Sequence, residues 1–385
     1  NPVWAALELA IQKHPLRAWR WCSNNSLLVP PGTTDYSDVA ARIARNGEPG
    51  LLWLDNVRRF GRMADGDLTK GPAPFSGLRP DTAIGTNPCG EITLESGELC
   101  NLQECFPGLH DSVEDWHQSL KYAYMIGKAV SDVPLHDPKV DAVVQRNRRL
   151  GISITGIAEW YTKMGPAKME AALDKGYREL RRLDALYSGW LNIPESIRLT
   201  CTKPSGTTSL LPGVEGGMRF PEAPYCARTV RFQDTSPILP RLEAAGYRIE
   251  SDAYAPFTQC VYFPIRDTRV GRYAPEVSAW EQCQMQVLLQ RAWADNMVSA
   301  TWMLQPNDVR DLPRILALHA GQLKGMSAMP YSGHGYVQAP YIPCTEAEYH
   351  EMSACIRPID FDGATVVHDT DEQFCSGGVC ELAAK

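Results

Sequence analysis

Residues 86 to 105 read Thr-Asn-Pro-Cys-Gly-Glu-Ile-Thr-Leu-Glu-Ser-Gly-Glu-Leu-Cys-Asn-Leu-Gln-Glu-Cys. Five chemically capable side chains share this short frame: Asn87, Cys89, Glu91, Cys100 and Glu104. Asn87, Cys89 and Glu91 alternate, so an extended backbone would aim all three at one side. Pro88 keeps Asn87 out of the helical region, and Gly90 lets the chain after the cysteine approach a neighbour closely. An amide, a thiol and a carboxylate converging on one point can bind a hydroxyl, attack it and take its proton. The competing reading is a structural thiol beside a solvated carboxylate.

Asn-Pro-Cys-Gly-Glu followed by Cys-Asn-Leu resembles the active-site loop of ribonucleotide reductases. Cys89 and Cys100 are eleven positions apart, which is similar to the adenosylcobalamin-dependent class II enzymes. In class I enzymes the second cysteine lies further downstream. Further stretches resemble the same family: Ser23-Asn-Asn-Ser26, Arg148-Arg-Leu-Gly-Ile-Ser-Ile-Thr-Gly156, Lys203-Pro-Ser-Gly-Thr-Thr-Ser209, Asp295-Asn-Met-Val-Ser-Ala-Thr301 and Lys324-Gly-Met-Ser-Ala-Met-Pro330. Read on its residues alone, the segment at 148 to 156 is a helix with a basic end. The turn at 203 to 209 follows an alternating strand and combines a flexible Gly206 with four hydroxyls. A helix opening there would make an anion site, although no Walker P-loop is present.

The resemblance implies an α/β fold, a ten-stranded ribonucleotide-reductase-type barrel of which this chain supplies the later strands and the central finger loop. Residues 1–360 would form the catalytic barrel portion and 361–385 a flexible redox tail. The implied cofactor is adenosylcobalamin, with the thiyl radical on Cys89. Glu91 would take the 3′-hydroxyl proton of a ribonucleotide, and Asn87 would orient the ribose. Cys100 would be one of two reducing thiols, the other lying upstream. Pro204, Ser205, Gly206, Thr207 and Thr208 would hold the substrate phosphates. Cys22 lies too close upstream of Cys89 to be the second thiol and is read as structural.

The tail from His368 onward is acidic, carries adjacent glycines and is too polar to pack, so it is expected to be mobile. Cys375 and Cys380 have four residues between them and can close a small disulfide ring. Zinc is the rival reading, but it needs four ligands. By resemblance this pair relays electrons from thioredoxin or a similar donor.

A content of 44% hydrophobic and 22% charged residues fits a soluble globular protein, and 385 residues can bury a large core. The net charge of −7 argues against a sequence-independent nucleic-acid surface. No apolar run reaches membrane-spanning length and no basic-then-apolar leader opens the chain, so a cytoplasmic protein is expected. Twelve cysteines without a leader read as reduced thiols, with Cys201, Cys226, Cys260, Cys283 and Cys355 as small core residues. The first residue is Asn, so the chain is expected to begin inside a longer product and to need a partner or segment carrying the first half-barrel.

Periodicity and caps predict helices at 3–13, 35–46, 280–295 and from Ser112 onward. Strands are predicted at 50–54, 225–232 and 257–265. Three rival functions fit parts of the pattern. They are a class I large-subunit piece, a non-catalytic assembly partner of a split reductase, and a thiol–disulfide oxidoreductase acting through the tail pair alone.

Overall fold

The computed structural model describes residues 25–253, 255–267, 269–331, 337–359 and 361. The helix expected at 3–13, Cys22, Cys375 and Cys380 lie outside them. The chain divides into two compact units, one of residues up to 224 with 267–335, the other of 225–266 with 336 onward.

In the first unit the strands are β1 (Ser26–Leu28), β2 (Gly50–Leu52), β3 (Gly85–Thr86), β4 (Thr93–Leu94), β5 (Leu102–Cys105), β6 (Gly151–Ile154), β7 (Thr200–Cys201), β11 (Thr301–Leu304) and β12 (Gly325–Pro330). One row runs β1-β2-β12-β11 and another β5-β6-β7. A parallel bridge between Thr202 and Val298 joins the two rows. β5, β6 and β7 are mutually parallel, as are β11 and β12, whereas β12 meets β2 antiparallel. Among the described residues no further strand pairs with β1 or β5, and no closed barrel is present.

Helices cover the outer face. The β6 stretch Gly-Ile-Ser-Ile is buried throughout, as a parallel strand covered on both sides should be. Ile152 and Ile154 join a core with Trp116, Tyr177, Leu180 and Trp293, contributed by the helices Val113–Val130 and Pro166–Leu191 and by the end of Ala279–Ala292. Each such side chain contributes roughly 1.5–3 kcal/mol on burial. Gly151 and Ser153 lie on the opposite face of the strand. Ser112 caps the helix Val113–Val130, its hydroxyl accepting the Asp115 N–H at 3.1 Å. The helix predicted at 35–46 is Ser37–Asn46, and that predicted at 280–295 is Ala279–Ala292.

The second unit is an antiparallel sheet ordered β13-β8-β10-β9, from Tyr341–Pro343, Tyr225–Gln233, Thr258–Arg266 and Arg248–Ser251. Cys226 and Cys260 are buried there, while Cys201 and Cys283 are buried in the first unit, all as expected. Cys355 is exposed instead, because it ends the helix Glu346–Cys355, none of whose residues is buried.

Candidate active site

Residues 85 to 94 fold as a hairpin, β3 against β4, with Cys89 at the tip. The expected extended run does not form. The amides of the tip need partners, and the chain supplies them by turning back on itself. Asn87 N–H donates to the Ile92 carbonyl and Gly90 N–H to the Asn87 carbonyl, both at 3.0 Å. Gly90 takes a φ of 78°, in the left-handed region. The Asn87 side chain folds inward, where its Oδ1 accepts the Ile92 N–H at 3.0 Å.

Cys89 stays exposed. Glu91, two residues on, is fully buried, and neither of its carboxylate oxygens has a hydrogen-bond partner. An unpartnered buried carboxylate is costly and points to a group that completes it. Partial burial of the sulfur, then the neighbouring Glu91, push the Cys89 thiol up, with Lys203 opposing. The sulfur therefore rests as a thiol at neutral pH. Cys100 is also exposed and lies within electrostatic reach of Cys89. Gly151 makes room for the hairpin: a Cβ there would stand 2.4 Å from the Ile92 side chain.

The base of the hairpin is held by charge. Arg149 is buried, donating from Nη2 and Nη1 to the two Asp81 carboxylate oxygens at 3.0 and 2.9 Å, from Nε to Glu98 at 2.8 Å and from Nη1 to Thr93 Oγ1 at 2.8 Å. Burial opposes the Arg149 charge, but Asp81 and Glu98 more than offset it and its pKa rises. Burial would raise Asp81, yet Arg149 and Arg198 hold it well below the carboxylate range. The segment at 148 to 156 is not the helix its residues alone suggested: the helix Pro138–Asn147 ends just before it and β6 begins at Gly151.

The second component follows β7. Ser205 is buried at a φ of 52°, unusual for a side-chain-bearing residue. The hydroxyls of Thr202, Thr208 and Ser209 are buried without partners, and that of Ser205 is buried beside Glu104. Pro204, Gly206 and Thr207 are exposed on the same turn. The expected helix is only a three-residue 3-10 turn, Thr208–Leu210, with Pro212 and Gly213 just beyond it. Hydroxyls and turn amides, not a helix dipole, are therefore what this turn presents. Behind it pass Gly216 and Gly217, where a Cβ would lie 2.5 Å from the Pro204 carbonyl and 2.7 Å from that of Lys203. Gly217 N–H also donates to Thr155 Oγ1.

Residues 297 to 299 clamp the two components together. Met297 N–H donates to the Glu91 carbonyl at 3.0 Å and the Met297 carbonyl accepts Thr202 N–H at 3.1 Å. Ser299 N–H donates to the Thr202 carbonyl at 2.9 Å, and its hydroxyl donates to the Cys89 carbonyl. The structure thus brings together Cys89, Glu91, Asn87, Cys100 and the turn at 203 to 209. The sequence reading did not single out Asp81, Glu98, Arg149, Gly216, Gly217 or Ser299 as site residues. The adjacent glycines and the arginine pair were the visible signals. Among the described residues there is no cluster of His, Cys, Asp and Glu that could hold a metal, and no helix long and apolar enough to cross a membrane.

No family model matches the chain. It is 38% identical over 380 residues to a Dictyostelium discoideum protein named a probable adenosylcobalamin-dependent ribonucleoside-triphosphate reductase, covering 97% of this chain and 49% of that protein. The adenosylcobalamin-dependent ribonucleoside-triphosphate reductase of Euglena gracilis is 38% identical over 368 residues, covering 94% and 49%. Over nearly its whole length, this chain is similar in sequence to class II ribonucleotide reductases. A crystal structure of a B12-dependent class II ribonucleotide reductase superposes with a TM-score of 0.79 at 32% identity, covering 92% of this chain and 53% of that one. A class Id ribonucleotide reductase alpha subunit from Actinobacillus ureae shares the fold at a TM-score of 0.53 and 17% identity, covering 85% of this chain and 63% of that one. The chain spans about half the length of the curated class II reductases it matches.

Proposed function

We propose that this chain carries the radical thiol, the base and the phosphate turn of an adenosylcobalamin-dependent ribonucleoside-triphosphate reductase. The observation that carries the reading is the buried, unpartnered Glu91 carboxylate beside an exposed Cys89 thiol, facing a turn of unpartnered hydroxyls. Adenosylcobalamin, when bound, supplies the radical equivalent that ordinary side chains cannot generate. The residues fit it in one respect: the Cys89 sulfur is exposed and protonated, so it can give up a hydrogen atom without first gaining a proton.

The Cys89 thiyl removes the hydrogen at C3′ of the ribose. Glu91 takes the 3′-hydroxyl proton, and Asn87 orients the ribose through its amide. The 2′-hydroxyl then leaves as water with a proton from one of two reducing thiols. Once those thiols have reduced the ribose, Glu91 returns the proton to the 3′-oxygen and Cys89 returns the hydrogen to C3′, which regenerates the thiyl. Two thiols supply two electrons and two protons and end as a disulfide; Cys100 is one, and the other comes from an upstream segment. Ser205, Thr207, Thr208 and the amides around Pro204 and Gly206 hold the triphosphate. The tail 361–385 resets the disulfide through Cys375 and Cys380, with thioredoxin or a similar protein as donor.

We read the two strand rows as the larger part of a ten-stranded barrel, supported by the lack of partners for β1 and β5 among the described residues. A segment or companion chain bearing the remaining strands would pair there. Free thiols at all nine described cysteines suit a reducing, cytoplasmic setting. The test is deoxynucleotide formation by the complete enzyme, or by this chain with that companion. Replacing Cys375 and Cys380 by Ala should stop turnover with thioredoxin and spare turnover with dithiothreitol. Equal loss with both reductants would overturn the relay.

A further inference from the structure

Glu104 shares the frame of the active-site residues, yet the reaction above makes no use of it. On β5 it stands opposite Ser153 of β6, which in turn stands opposite Cys201 of β7. The row lies on the face that carries Gly151, against which Ile92 of the hairpin packs. Ser153 is fully buried, and its hydroxyl donates to Glu104 Oε1 at 3.0 Å. The same hydroxyl oxygen accepts the backbone N–H of Lys203 at 2.9 Å. Lys203 is the first residue of the turn whose hydroxyls face the site.

A serine hydroxyl has one proton to give. Here it goes to Glu104, which leaves the oxygen lone pairs free for the Lys203 amide. If Glu104 were replaced by an apolar residue, the Ser153 proton would lose its acceptor and the hydroxyl could rotate away from the amide. Burial, reinforced by Glu91, pushes Glu104 up, while hydroxyl bonds and Lys203 oppose. A carboxyl protonated on its other oxygen still accepts at Oε1, so the relay survives in either state.

We infer that Glu104 and Ser153 are positioning residues: together they brace the Lys203 peptide and so set the substrate's phosphates at the proper distance from Cys89. The inference rests on reading 203 to 209 as the phosphate turn. It is tested in the complete enzyme with Glu104→Ala, Ser153→Ala, the double variant and Glu104→Gln, whose amide oxygen can accept the same bond.

Each alanine variant should raise KM for the ribonucleotide up to about tenfold, the scale of one lost buried hydrogen bond, with a smaller change in kcat. The Ki of inorganic tripolyphosphate as a competitor should rise in parallel. The double variant should be no worse than either single one, since both break one relay. Glu104→Gln should lie within about twofold of wild type in KM, an outcome expected only if the oxygen and not the charge matters. Melting temperatures of all four separate this from general unfolding. Glu104→Gln with unchanged KM and collapsed kcat would overturn the brace and make Glu104 a proton carrier. Additive losses would also overturn it. An unchanged Ki in variants of an enzyme that tripolyphosphate does inhibit would sink the brace alone. No competition in the wild type would sink the phosphate reading with it.

Discussion

The Cys89 hairpin and the turn at 203 to 209 are held in different ways. The hairpin is held by buried charge, through Arg149, Asp81 and Glu98. The turn is held by close backbone approach, with Gly216 and Gly217 against the carbonyls of Pro204 and Lys203. Both end in buried polar atoms without partners, Glu91 in one and the hydroxyls of Thr202, Thr208 and Ser209 in and beside the other. The contrast shows that two loops presenting a similar unfinished surface can have different weak points. One is exposed to charge removal and acid, the other to added volume.

The largest effect belongs to the hairpin tip. Cys89→Ser should reduce deoxynucleotide formation by the complete enzyme to below about one percent, with nucleotide affinity nearly unchanged, because only the chemical step is removed. Substantial residual turnover would show that the tip is not the radical site.

Next is the base of the hairpin. Arg149→Met leaves Glu98 buried without its cation and Asp81 with only Arg198, 3.5 Å away, and should cost about 3–5 kcal/mol in a denaturant titration of the chain. The same charges set the pH response. Asp81 is held below its unfolded value, so its contribution is full above the ordinary carboxylate range and is lost as pH falls through that range toward the depressed value. Arg149→Met should flatten this acid dependence. An unchanged acid slope would mean that other carboxylates dominate.

The turn should respond to volume instead. Gly217→Ala forces a Cβ toward the Lys203 carbonyl at a residue with a φ of 53°, and should cost about 1–3 kcal/mol. Its stability loss should show no particular dependence on acid, and its KM for ribonucleotide should rise. Equal acid dependence in this variant and Arg149→Met would erase the distinction between the two loops. The smallest effect is expected from Ser299→Ala, which removes one hydrogen bond to the Cys89 carbonyl and should cost about 1 kcal/mol in the same titration.

The sequence by itself determined the local chemistry. Asn-Pro-Cys-Gly-Glu and the eleven-residue step to Cys100 pointed to the reductase family. Turn residues and caps placed most helices and strands within a few positions, because those signals act between near neighbours in the chain. Only the tertiary structure decided how the pieces meet. Asn87 to Ile92 form a turn instead of a strand because the tip amides bond back within the hairpin. The helix expected after Ser205 shrinks to a single 3-10 turn, with Pro212 and Gly213 close behind. Arg149 reaches Asp81 across 68 residues, and Ser299 reaches Cys89 across 210. Such contacts leave no periodic trace. They are set by which strands lie side by side, and that follows from burying Trp116, Tyr177 and Trp293 over the sheet, not from any short run of residues.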